Sequence, residues 1–138
     1  MLRVLLSAVI AMCGLSFFLG ADDTPAADKR AKAEQLQKDG NFLEAFTLWQ
    51  ELALDPEQSG NPLADAFSAA VQCLQRLQRQ HEIDAFREQV VDVHADDWRV
   101  LARAADTLIN GEHYGFLVAG EFSRGNQRGG GQYVDSTQ

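Results

Sequence analysis

Between residues 25 and 109 apolar side chains recur every three or four positions, and short polar, glycine-bearing or proline-bearing segments break that rhythm four times. A three-to-four period lays one apolar stripe along an α-helix, whereas a half-buried strand alternates every second residue. Leu63, Phe67, Ala70, Leu74 and Leu77 define one stripe; Ile83, Phe86, Val90 and Val93 define another; Val100, Leu101, Ala104, Ala105 and Leu108 define a third. Ahead of these, residues 25–38 are strong helix formers behind Pro25, and residues 42–53 carry Ala45, Phe46, Trp49, Leu52 and Ala53. The third helix is expected to start at an Asn61 cap before Pro62 and to run to about residue 79. Nothing sustains two-residue alternation, so the sequence predicts an all-α domain of antiparallel helical hairpins joined by loops of ordinary length. Residues 114–122 are expected to add a sixth, glycine-weakened helix or an ordered turn.

The N-terminus has a different character. One basic residue, Arg3, precedes an apolar run over residues 4–19, which gives way to Ala21, Asp22 and Asp23. Sixteen residues fall short of the roughly 20 that span a bilayer, and the three-part pattern is that of a secretory signal peptide. The expected organisation is therefore a signal peptide over 1–21, a helical domain over 22–122 and a glycine-rich linker or truncated tail over 123–138. Export to the periplasm, cell envelope or medium follows, with membrane contact only through the N-terminal segment if it is uncleaved. Cys13 leaves with that segment, so Cys73 remains as a single thiol and no internal disulfide forms. The net charge of −8 becomes more negative once Arg3 is lost, which repels nucleic acid.

The first hairpin has a specific grammar. In Asp39-Gly40-Asn41-Phe42-Leu43-Glu44-Ala45, Gly40 supplies the left-handed residue of a tight turn, Phe42 packs across it, and Ala45 is small enough for close helix approach. Trp49 is expected in the core, and Pro56 stops the second helix. Ala85-Phe86 repeats Ala45-Phe46 forty residues later, each pair behind an acidic residue, with Gln80 or His81 where a second turn glycine belongs. These residues resemble a tetratricopeptide repeat. The resemblance implies a short solenoid of stacked hairpins whose concave surface holds a protein or peptide, with no cofactor.

A second resemblance lies near the end, where His113-Tyr114-Gly115-Phe116, Ala119-Gly120-Glu121-Phe122, Arg124-Gly125 and Arg128-Gly129-Gly130-Gly131 follow one another. This segment resembles the helical leader of large secreted bacterial alpha-2-macroglobulin-like proteins, in which β-sandwich arrays and sometimes a reactive thioester lie downstream. The Cys-Gly-Glu-Gln thioester motif is missing from these 138 residues. The resemblance implies that partners include downstream domains of the same polypeptide, with Tyr114, Phe122, Arg124 and Arg128 as candidate contact residues.

Catalytic and metal chemistry find little purchase. His94 is flanked by Asp92, Asp96 and Asp97, but no second histidine or cysteine stands at ligand spacing, and a solvated loop is the expected environment. Ser68 and Cys73 fall inside a helix rather than at a glycine-flanked turn. Gly125 to Gly130 has the outer spacing of a phosphate loop, yet Gly131 and Gln132 replace the lysine and hydroxyl that would hold phosphate and magnesium. The expectation is a non-catalytic protein-interaction or scaffold module without metal or cofactor.

Overall fold

The computed structural model describes residues 25–111, 113–125 and 131–135. The expected signal peptide and Arg128 lie outside them. Five helices come first in chain order: α1 (Pro25–Lys38), α2 (Phe42–Ala53), α3 (Gly60–Arg76), α4 (Ile83–Val93) and α5 (Trp98–Ile109). Three short strands follow: β1 (Tyr114–Val118), β2 (Glu121–Arg124) and β3 (Gln132–Asp135). No described helix is long and apolar enough to cross a membrane.

The helices pack as the periodicity requires. α2 lies against α1 and α3, while α4 lies against α3 and α5, so each of these two helices bridges its chain neighbours. Phe67, Leu63, Leu74 and Cys73 of α3 are fully buried at the centre, with Leu52 of α2 and Val90 of α4 beside them. Phe86 of α4 meets Phe46 of α2 edge-on, with ring centroids 5.8 Å apart, and meets Phe67 of α3 at 5.7 Å. Aromatic pairs at such separations add to the burial of their area, and this trio ties three helices together.

Two turns end their helices by the same device. After α1, the Gly40 N–H donates to the Gln37 carbonyl and the Asn41 N–H to the Leu36 carbonyl, with Gly40 at φ +83°. After α3, the Gln78 N–H donates to Gln75 and the Arg79 N–H to Leu74, with Gln78 at φ +57°. Both are Schellman caps, which satisfy carbonyls that the last helical turn leaves open. The turn residue after α3 is thus Gln78, not Gln80 or His81, and α3 stops at Arg76 rather than near residue 79.

A 3-10 turn, Gln80–Glu82, is then inserted before α4. Its extra length shifts the register of the repeat. Ala45, Phe46, Trp49 and Ala53 are buried in and beside α2, and the corresponding buried set beside α4 is Phe86, Arg87, Val90 and His94. Ala85 is exposed, so the expected pairing of Ala85 with Ala45 is corrected: a register of forty residues turns Ala85 outward, and Phe86 takes the inner position. Of the other packing residues, Ala45 and Trp49 are buried, Phe42 packs against the core edge, and Pro56 is exposed in the loop beyond α2.

The purely helical expectation is corrected at the C-terminal end. β1, β2 and β3 form an antiparallel sheet of order β2-β1-β3, and the boundary expected between 122 and 123 falls inside β2. Phe116 pairs with Ser123 on one side and Tyr133 on the other. Ala119 and Gly120 join β1 to β2 with φ of +52° and +87°, the handedness of a tight hairpin turn that matches strand twist. A side chain at Gly115 would stand 2.3 Å from the Ser123 carbonyl and 2.7 Å from the Phe122 ring, so this backbone approach requires glycine.

Candidate functional site

α1, α3 and α5 bring their C-terminal ends to one edge of the molecule. Polar positions of their apolar-striped sequences point outward there, because the stripe of each helix is spent on the core. The guanidinium of Arg30 donates to the Pro62 carbonyl at 2.8 Å and the Gln37 amide reaches the Gln72 amide at 3.4 Å, which fixes α1 beside α3. Gln37 also accepts from the Trp49 indole N–H at 3.1 Å, so a buried aromatic orients a groove residue.

Two adjoining depressions result. One, of about 480 Å³, lies between α3, α5 and β2, with Gln72, Gln75, Gln80, Arg103, Asp106 and Asn110 at its walls. The other, of about 430 Å³, lies between Gln37, Phe42, Gln72, Gln75 and Arg76. Gln72 and Gln75 line both, so the two depressions adjoin across α3 and are together called the groove between α1, α3 and α5. A glutamine or asparagine side chain offers both a donor and an acceptor, the same pair that a peptide bond offers. Arg103 lies 3.9 Å from Asp106, too far for a strong pair at an exposed position, which leaves both available to a ligand.

The hydroxyls in the larger depression are turned toward their own helices. Ser68 Oγ donates to the Ala64 carbonyl at 2.9 Å and Thr107 Oγ1 to the Ala104 carbonyl at 2.7 Å. Neither meets a base. Cys73 is fully buried, and burial pushes its thiol up to about 11, where the nucleophilic thiolate is scarce at neutral pH. Among the described residues no three His, Cys, Asp or Glu side chains gather as a metal site would need.

His94 is not solvated as expected. Its ring is buried and its Nε2 lies 3.0 Å from the Ala53 carbonyl at the end of α2, so it acts as a strut between loops. Asp97, its neighbour in sequence, caps two helices at once. Its carboxylate accepts from the Arg99 N–H at the start of α5 (2.9 Å) and from the Gly60 N–H at the start of α3 (2.7 Å). These two backbone donors, Gly60 first, hold the Asp97 carboxyl below its ordinary value. The expected Asn61 cap is thereby corrected: α3 starts two residues earlier, at Gly60 behind Ser59, and its first donor is satisfied by a side chain 37 residues away.

The candidate partner-contact residues are divided by the sheet. Tyr114 is exposed and stacks on Tyr133 at 6.4 Å, while Phe122 is partly exposed and folds over Gly115. Arg124 is turned inward: its Nε and Nη2 donate to the two carboxylate oxygens of Asp84 at 3.0 and 3.2 Å. Arg87, which holds the position Phe46 has in α2, donates to the same carboxylate at 2.7 Å. Arg124 is therefore a latch between sheet and helices, and it lines the floor of the groove. Sequence reasoning missed Gln37, Arg103 and Asp106. The i, i+3 spacing of Arg103 and Asp106 was the available signal.

Neither a protein-family model, nor a curated protein, nor a solved structure matches the chain. The functional reading therefore stands on the geometry of the groove.

Proposed function

We propose that the chain is a non-catalytic protein-interaction or scaffold module, a short tetratricopeptide-like solenoid that holds an extended peptide segment of another protein in the groove across α1, α3 and α5. The observation that carries this reading is the amide lining, Gln37, Gln72, Gln75, Gln80 and Asn110, which matches backbone donors and acceptors without demanding a particular side chain. Arg76, Arg103 and Asp106 add charge at the walls and so bias the choice of peptide. The apolar run over residues 4–19, read as a signal peptide, supports a site of action outside the cytoplasm.

Selection of a displayed random-peptide library on the full chain, followed by titration of the best peptide, tests the reading. The double variant Gln72→Ala, Gln75→Ala should keep its circular dichroism and lose about ten-fold or more in affinity, a loss of two desolvated hydrogen-bonding groups. Failure to select any peptide, or equal affinity for the double variant, overturns the groove assignment.

The sheet supports a second reading. Residues 113–131 carry the resemblance to alpha-2-macroglobulin-like proteins, and β2 within them is latched to the helices through Arg124 and Asp84, a joint suited to a helical leader that positions domains downstream. An antibody against residues 22–138 decides between the readings in native cells. A band near the mature 117 residues supports a free-standing module, and a band many times larger supports a leader.

A further inference from the structure

The groove is not electrically neutral. Of the charged side chains that line its two depressions, Arg76, Arg103 and Arg124 are cations, and Asp106 is the one carboxylate among the described residues. The chain as a whole carries a net charge of −8, so a concave face on which cations outnumber carboxylates runs against its composition.

The cations differ in how firmly they are held. Arg76 is exposed on α3 and takes part in no ion pair among the described residues. The Arg103 side chain is 51% exposed, and its contact with Asp106 at 3.9 Å is of the weak, solvent-screened kind. Arg124 is held by Asp84, but that carboxylate is divided, because Arg87 donates to it as well at 2.7 Å. Arg87 is only 8% exposed, and its buried Nη1 has no hydrogen-bond partner among the described residues. A second guanidinium therefore stands behind the groove floor and draws on the same carboxylate.

Charge alone would admit any polyanion, and the amides select among them. Gln37, Gln72, Gln75, Gln80 and Asn110 offer donor and acceptor together, which a peptide backbone uses at every residue and a phosphate chain, an acceptor only, does not. Distance decides whether an acidic chain would nevertheless repel an acidic segment. In about 0.1 M salt charges are screened over about 10 Å, so a carboxylate in contact with Arg76 or Arg103 feels them more than it feels the carboxylates on other faces of the molecule.

We propose that the groove between α1, α3 and α5 selects an acidic extended segment of a partner protein, with carboxylates set against Arg76 and Arg103 and backbone set against the amides. The assignment rests on the peptide-groove reading and adds the class of peptide.

The test is selection of a displayed random-peptide library on the full chain in about 0.1 M salt, with the best peptide then synthesised, labelled and titrated by fluorescence anisotropy. The selected pool should be enriched in Asp and Glu over the starting library. Replacing the acidic residues of the best peptide by their amides should weaken it by about ten-fold, and so should Arg76→Glu or Arg103→Glu in the protein. Lys32→Glu, the same change of charge at an exposed position of α1 outside the groove lining, should alter affinity by less than about two-fold. Asp106→Asn should tighten binding by about three-fold, a gain that a damaged fold does not produce. A pool without acidic enrichment whose binding is still lost in Gln72→Ala, Gln75→Ala overturns the acidic preference and leaves the groove standing. Absence of any selected peptide, or binding that survives that double variant, overturns the groove and the preference with it. Equal losses in Arg103→Glu and Lys32→Glu reduce the effect to net charge and overturn the proposal. So does displacement of the peptide by an oligothymidylate of matched charge at equal or lower concentration, which assigns the site to phosphate chains.

Discussion

Gly40 and Gln78 occupy equivalent left-handed positions, and only one of them is glycine. An L side chain there pays roughly 1–2 kcal/mol for the contact between its Cβ and the backbone. Gln78→Gly should therefore stabilise the chain by about 0.5–1 kcal/mol after the added chain entropy of glycine is subtracted, read as a higher urea midpoint with unchanged slope. The mirror experiment, Gly40→Val, places a β-branched residue at φ +83° and should lower stability by about 1–3 kcal/mol, although no neighbouring atom crowds the site. Gly40 was legible because glycine announces the turn. Gln78 was not, because nothing in a glutamine signals positive φ, and the cap geometry appears only once the Leu74 and Gln75 carbonyls are in place.

At the scale of elements, the Asp84 carboxylate joins the sheet to the helices through Arg124. Burial alone would raise the Asp84 carboxyl, but hydrogen bonds from Arg124 and Arg87 outweigh it and hold the group below its ordinary 3.8. A carboxyl depressed in the folded state stabilises the latch above its unfolded value, and that stabilisation is lost as pH falls through the lower folded value. Amide exchange in β1 and β2 should therefore rise relative to α3 as the solution is acidified below about 3.8, and Arg124→Met should produce the same loosening at neutral pH. The hairpin itself can be improved. Ala119 sits at φ +52°, a position that asparagine tolerates better, so Ala119→Asn should slow exchange in β1 and β2 by stabilising the turn by about 0.5–1 kcal/mol. An Ala-Gly turn is also why the hairpin was hard to read, since Asn-Gly or Asp-Gly is the usual signal and Gly115 and Gly120 look like helix breakers.

At the scale of the whole molecule, the five helices share one core in which Cys73 is central, so its thiol reports on the unit as a whole. With the thiol held up to about 11, only on the order of one molecule in a thousand carries thiolate at pH 8, and the sulfur is also out of reach of reagent. Reaction with a disulfide reagent should be negligible in buffer and should rise along the same urea transition as the loss of helical circular dichroism. Separate transitions would mean that α3 opens without global unfolding, contrary to a single cooperative core.

The helices, their order and their inward faces are local properties, written in a period of three to four that any reader of the chain recovers, and so the α5 boundaries were legible from residues alone, while the burial of Trp49 was expected from the repeat resemblance. The strands were not, because four or five residues carry too little pattern and their pairing partners lie elsewhere in the chain. Long-range polar contacts were equally silent: Asp97 caps α3 from 37 residues away, Asp84 meets Arg124 from 40, and Gln37 meets Gln72 from 35. Sequence determines which face each helix must hide, since water is expelled residue by residue. Which polar faces then meet to form a groove, and which apolar face is left bare, depends on how the helices stack, and that only the tertiary structure decides.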